Sequence, residues 1–176
     1  MPEPRKRHII HANIEVLKSA MDKNEAIIKL HGIANYQFSA PAGRALFQKD
    51  IKIEYSPKTG RIRRIYHRGV LIATLRPKDG MFSLTVPAAK RLASKFKPPQ
   101  FRVIVQDDVA QVIRQGGTVF AKHVLKADQN IRPQEEVIVT NLQDEVLAVG
   151  RAILNGEDMI AFNLGAAVKV RHGAGE

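Results

Sequence analysis

The sequence predicts an α+β module followed by a mainly β, barrel-like module, and three observations carry that prediction. Apolar spacing is helical near the start, passes into short alternating runs, and resumes as short alternating runs after a break at Lys97-Pro98-Pro99. Turn chemistry recurs between those runs, as Pro57-Lys58-Thr59-Gly60 and Pro77-Lys78-Asp79-Gly80 before the break and Asp128-Gln129-Asn130 and Asn155-Gly156 after it. Charge divides at the same place: residues 1–100 hold 20 Lys/Arg against 7 Asp/Glu, and residues 101–176 hold 8 against 10. A chain of 176 residues has room for one large domain or two small ones packed together.

Residues 1–8 read as a mobile basic arm, 9–99 as the α+β module and 100–176 as the β module. Leu17, Met21 and Ile28, then Ile27, Leu30 and Ala34, fall at helical spacing and predict two short helices. Asp22 can cap the second, Glu25 completes a capping box, and Gly32 suits the C-terminal stop. A short helix over Pro41–Phe47 precedes a half-buried strand marked by Ile51, Ile53 and Tyr55. Arg61–Arg68 returns antiparallel, Gly69 turns the chain into Val70–Arg76, and Phe82, Leu84 and Val86 complete a four-stranded meander. Ala88–Phe96 reads as a helix, and the paired prolines that follow stop it.

Beyond them, Phe101, Val103 and Val105 alternate as a strand. Asp107 or Asp108 then caps a helix with Val109, Val112 and Ile113 inward, ended by Gly116-Gly117. Strands are predicted over 118–126, 135–141, 145–154, 159–163 and 166–171. Five or six short strands around one helix suggest a small closed barrel.

Composition narrows the function. A net charge of +11, concentrated before residue 100, points to a polyanion, because cationic side chains release counterions from phosphates. The alternative is a surface charged only for solubility. No run of about 18 apolar residues suggests a membrane span, and Met1–His8 lacks the apolar stretch of a secretory signal, so a cytoplasmic protein is expected. Zero cysteines remove disulfides and thiolate zinc ligands. His8 and His11 lack a nearby carboxylate, and the acidic pairs Asp107-Asp108, Glu135-Glu136 and Glu157-Asp158 sit at caps and turns, so neither reads as catalytic. No cofactor is implied.

Gly116–Lys122, Leu147–Ala152 and Gly165–His172 together resemble a PUA domain, a small β-barrel found on RNA-modifying proteins. The expected fold is therefore an α+β N-terminal domain followed by a mainly-β PUA pseudo-barrel. Gly32–Phe38, Ala42–Phe47, Thr59–Arg63 and above all Leu71–Gly80 are similar to the C-terminal region of archaeal tRNA-guanine transglycosylase, where a small α+β domain precedes the PUA domain. The related archaeosine synthase family carries similar C-terminal domains. That enzyme's catalytic barrel and Cys-rich zinc site have no counterpart here. The resemblance thus implies a noncatalytic tRNA-binding subunit or adaptor, partnered by a catalytic transglycosylase subunit, in modification of G15 to archaeosine. The alternative is an independent PUA-domain RNA-binding adaptor in ribosome assembly or translation.

The PUA resemblance also implies where RNA lies: against Gly116, Gly117 and Thr118, whose glycine amides can approach phosphates closely, and along the last strand, where alternation projects Lys169 and Arg171 from one face. Lys122, Lys126 and Arg151 are further candidates on adjacent strands. In the first module, Lys58, Arg61, Arg63, Arg64 and Arg68 surround one hairpin. Strict alternation puts Arg61 and Arg63 on one side and Arg64 and Arg68 on the other. Arg76 reads as a residue bonding loop carbonyls, with phosphate binding as the alternative. Aromatics at 6% favour recognition of folded RNA over single strands.

Overall fold

The computed structural model describes residues 22–175. The expected helix around Leu17 and Met21, the basic arm and the His8/His11 pair lie outside them. The first described element, α1 (Lys23–Phe38), passes straight through Gly32. The expected stop fails because Ala26, Leu30, Ala34 and Phe38 continue one buried stripe at four-residue steps, and that burial outweighs the roughly 1 kcal/mol a mid-helix glycine costs. Asp22 occupies the N-cap position, but its side chain makes no capping bond and the capping box does not form. Across α1 lies α2 (Ala42–Leu46), so close at Gly43 that an added Cβ would stand 2.6 Å from the His31 Cα. Glycine is required there by the approach of the two helices.

The meander forms as expected: β1 (Ile51–Tyr55), β2 (Ile62–His67), β3 (Val70–Leu75) and β4 (Phe82–Leu84) are antiparallel in sequence order. Arg68 and Gly69, both at positive φ, close the two-residue β2–β3 turn. The following helix, α3, runs Val86–Ala93 rather than 88–96. It starts two residues early because Pro87 sits in the first turn, where a missing N–H costs nothing.

The second module is a six-stranded sheet in the order β6-β10-β9-β8-β5-β7, with β5 (Arg102–Val105) and β8 (Glu136–Thr140) parallel and every other pair antiparallel. Asp107–Val109 form a 3₁₀ turn leading into α4 (Ala110–Arg114), so Gln106, not an aspartate, holds the N-cap position. Ile113 points inward as expected, while Val112 is exposed. The expected strand 118–126 is split into β6 (Val119–Phe120) and β7 (Val124–Ala127) by a 3₁₀ turn at Ala121–His123. β9 (Val146–Ala152) and β10 (Ala166–Gly173) match their expected positions.

The expected strand at 159–163 is instead a helix, α5 (Gly156–Ala161). Asn155 is its N-cap: the side-chain oxygen accepts from the Asp158 amide at 2.8 Å, and Met159 fills the barrel interior. Asn-Gly chemistry signalled a turn correctly, but the same residues begin a helix.

The two modules share apolar surface. Ile138, Val146 and Val149, on the barrel face turned toward the first module, belong to the same cluster as Leu30, Phe38, Phe82 and Leu92. Phe101 bridges the seam, with its ring 5.7 Å from Phe38 and 5.1 Å from Phe96. Beside it, Arg102 is fully buried. Its Nε donates to Asp144 at 2.5 Å, its Nη1 to the Gln100 carbonyl, and its Nη2 to Asp144 and to the Ala93 and Phe96 carbonyls. This guanidinium ties the end of α3 to the β8–β9 turn.

Candidate nucleic-acid interface

The β1–β2 hairpin carries a register shift between Glu54 and Tyr55, which pair with Arg64 and Ile62 and leave Arg63 as the extra residue of a bulge. Ile62 and Ile65 are consequently both buried, and Arg61 and Arg63 are exposed with Arg64 half-exposed. The expected separation of Arg61 and Arg63 from Arg64 therefore fails, because the bulge cancels one step of alternation. Arg64 is engaged, donating to Glu54 at 2.8 Å, and Tyr66 donates to the other Glu54 oxygen at 3.0 Å. The Tyr66 hydroxyl, aided by Arg64 and Arg63 and opposed by partial desolvation, holds the Glu54 carboxyl below its ordinary value. Arg68 lies at the opposite end of the sheet, paired with Asp50 at 3.2 Å.

Antiparallel order puts the β1–β2 and β3–β4 turns at one end of the meander. Lys58, Arg61, Arg63 and Lys78 are all exposed there. Arg76, in the β3–β4 turn, is only 14% exposed; it pairs with Asp79 at 2.9 Å and faces Glu136. It bonds carboxylates rather than loop carbonyls.

Arg151 is close enough to Asp79 to help lower that carboxyl below its ordinary value. There the bonds from Arg76 and the Met81 amide prevail over desolvation, the largest single influence. Arg151 stands on β9 of the barrel. There, Lys169 pairs directly with Arg151, and Arg151 with Glu136, in one row across β10, β9 and β8. Thr118, exposed, lies on the neighbouring chain just before the Val119–Val168 pair.

Lys169 and Arg171 play different parts. Lys169 is exposed, whereas the Arg171 guanidinium holds both oxygens of the buried Glu136 and donates to the Ser83 hydroxyl at 3.1 Å. Glu136 also accepts from the Leu84 amide at 2.8 Å. Burial pushes its carboxyl above the ordinary value, against Arg171, the Leu84 amide and the charge of Arg76. Arg171 is therefore part of the seam between modules.

The glycine loop also differs from expectation. The Gly117 amide donates to the Val112 carbonyl at 2.9 Å and the Gly116 amide to Ile113 at 3.0 Å, with Gly116 at φ 88°. This is a Schellman ending of α4, so both amides serve the helix. Lys122 and Lys126 are exposed but stand on the 3₁₀ turn and on β7, away from the Lys169–Arg151 row. Among the described residues, no group of three or more His, Cys, Asp or Glu could hold a metal ion, and no helix is long and apolar enough to cross a membrane. Of the residues at this interface, Lys78, Glu136 and the spacing role of Arg63 were missed from sequence. Only Lys78 had a local signal, its place in a Pro-Lys-Asp-Gly turn.

The profile described as the patch-forming domain C2 of tRNA-guanine transglycosylase matches residues 29–99, and the PUA domain profile matches residues 101–174. The chain thus carries a C2-type domain followed by a PUA domain. Its C2 and PUA modules together are similar to the C-terminal region of archaeal tRNA-guanine(15) transglycosylases. The relative from Thermococcus kodakarensis is 45% identical over 152 residues, covering 86% of this chain and 26% of that protein. The one from Methanothermobacter thermautotrophicus is 43% identical over 141 residues, covering 80% and 22%. The chain thus spans about a quarter of the length of such relatives. Among solved structures, a hypothetical protein from Pyrococcus horikoshii superposes with a TM-score of 0.69 at 23% identity, covering 89% of this chain and 93% of that one. A conserved PUA domain protein from Thermoplasma acidophilum does so at 0.60 and 19%, covering 89% and 93%. Both share the fold.

Proposed function

We propose that this chain binds tRNA as a noncatalytic subunit or adaptor of a tRNA-guanine transglycosylase system, holding the RNA while a catalytic subunit exchanges guanine 15. Two observations support it: Lys58, Arg61, Arg63 and Lys78 are exposed at the turn end of the C2 meander, and Lys169 pairs with Arg151 on the PUA module; we take the two groups as one phosphate-binding track. The two groups come from different modules. A double-stranded RNA backbone presents phosphates to such a row without requiring any base to be read. Thr118 and the Gly116-Gly117 turn border the track beside Lys169 and supply shape. Lys122, Lys126, Arg64, Arg68 and Arg171 also belong to the proposed RNA-binding set, the last three in a supporting capacity because carboxylates already hold them. We place the division between modules at Pro99–Gln100.

The test is tRNA binding by the purified chain as salt is varied. With about six phosphate contacts, log K should fall with log salt at a slope of roughly −4 to −5.5. Guanine exchange should appear only when a transglycosylase catalytic chain is added. No tRNA binding at low ionic strength, with or without that chain, would overturn the proposal. A second reading, an RNA-binding adaptor independent of the transglycosylase, is favoured by the two solved chains, which this fold nearly fills. It predicts equal tRNA binding and no co-purification with a catalytic subunit.

A further inference from the structure

A cleft of about 540 Å3 opens where the two modules meet, lined by Ser39, Lys97, Pro99, Gln100, Phe101 and the Ala127–Asn130 turn. We infer that it accepts one unpaired RNA nucleotide, its base held by side-chain amides and its phosphate by Lys97; the inference rests on the RNA-binding reading above.

The wall is built from residues whose hydrogen bonding is uneven. Asp128 is buried and accepts three hydrogen bonds, from the Phe101 amide at 2.8 Å and from the Asn130 amide and side chain at 2.9 and 3.1 Å. That arrangement holds Asn130 in place and leaves its side-chain oxygen as an acceptor. The Gln100 and Gln129 side-chain amides, the Ser39 hydroxyl and the Lys97 ammonium make no hydrogen bond or ion pair with other described residues.

Amides carry a donor and an acceptor side by side, the pattern that matches a base edge. One cation with no uncommitted carboxylate suits a phosphate. The ring of Pro99 and the partly exposed Phe101 offer apolar surface to a flat base. The volume lies within the range of small-ligand sites. Both Ser39 and Phe101 adopt positive φ, at 63° and 61°, conformations unfavourable for residues with a Cβ; that of Phe101 is held by its packing against Phe38 and Phe96.

The experiment compares the full chain binding a blunt RNA duplex and the same duplex carrying one unpaired adenosine, with adenosine monophosphate titrated separately while amide resonances are followed. The unpaired nucleotide should raise affinity about tenfold. Lys97→Ala and Gln129→Ala, both at exposed positions, should each remove most of that gain and leave blunt-duplex affinity nearly unchanged. Melting curves check that the variants remain folded. Adenosine monophosphate should shift resonances of Gln100, Gln129 and Asn130. Equal affinity for the two duplexes overturns the inference. So does adenosine monophosphate binding without any gain from the bulge, which would make the cleft a site for free nucleotides. Should neither duplex bind, the RNA reading falls, and the mononucleotide titration still decides whether the cleft takes a nucleotide.

Discussion

Arg102 and Lys169 show how differently two cations of one module can be used. Arg102 has no exposed surface and spends every guanidinium nitrogen inside the protein, so Arg102→Ala leaves Asp144 and three carbonyls without their donor. A loss of about 3–5 kcal/mol is expected in urea unfolding, the scale for removing one partner of a buried ion pair. Lys169→Ala and Arg151→Ala should leave the fold intact, weaken tRNA binding, and each lower the magnitude of the salt slope by about 1. Glu54 gives a pH dependence. Its folded carboxyl titrates below the ordinary value of 4.5, so the folded state binds fewer protons, and the stabilisation is present above 4.5 and lost as pH falls through the folded value. In Glu54→Gln the decline of melting temperature on acidification below 4.5 should be shallower than in the parent.

At the level of elements, the meander was legible because period-two alternation and turn residues agreed with each other. Alternation failed at Arg63 and again at Ile72, the extra residue of β3 against β2, where Ile72 and Ala73 are both buried; a single-residue bulge has no sequence signature that counting can detect. The end of α1 was misread because Gly32 is a local signal, whereas the stripe through Ala34 and Phe38 acquires its weight from the core it meets. α5 was misread as a strand for a related reason: its six residues are too few for periodicity to separate the two structures. The α4 ending supplies a test. Gly116→Ala forces a Cβ into φ 88° and should cost about 1 kcal/mol. Gly117→Ala should cost more, since its Cβ would lie 2.6 Å from Val112 Cγ1 and 2.8 Å from the Val112 carbonyl. Thermal melts of the two variants give the order.

For the whole molecule, the barrel has a core of its own, whereas the first module's core is completed by barrel residues across the shared apolar seam. Ile138 and Val149 lie on the barrel yet pack with the first module, and Glu136 and Arg171 meet Leu84 and Ser83 across the junction. The chain should therefore unfold in one cooperative transition, with fluorescence-free probes such as far-UV circular dichroism and amide exchange giving the same midpoint. Ile138→Ala should lower that midpoint for protected amides of both modules, by about 2–4 kcal/mol in stability. Two separated transitions would show that the modules dock only loosely.

By itself the sequence determined the order of modules, most strands, the proline break and the concentration of positive charge in the first half, because these follow from local periodicity, turn chemistry and composition. Tertiary structure alone decided which cations stand together. Arg171 and Arg64 became partners of carboxylates, Lys58, Arg61, Arg63 and Lys78 gathered at one end of the meander, and Arg151 and Lys169 became neighbours across β9 and β10, since side chains distant in the chain meet only when strands pair and sheets dock.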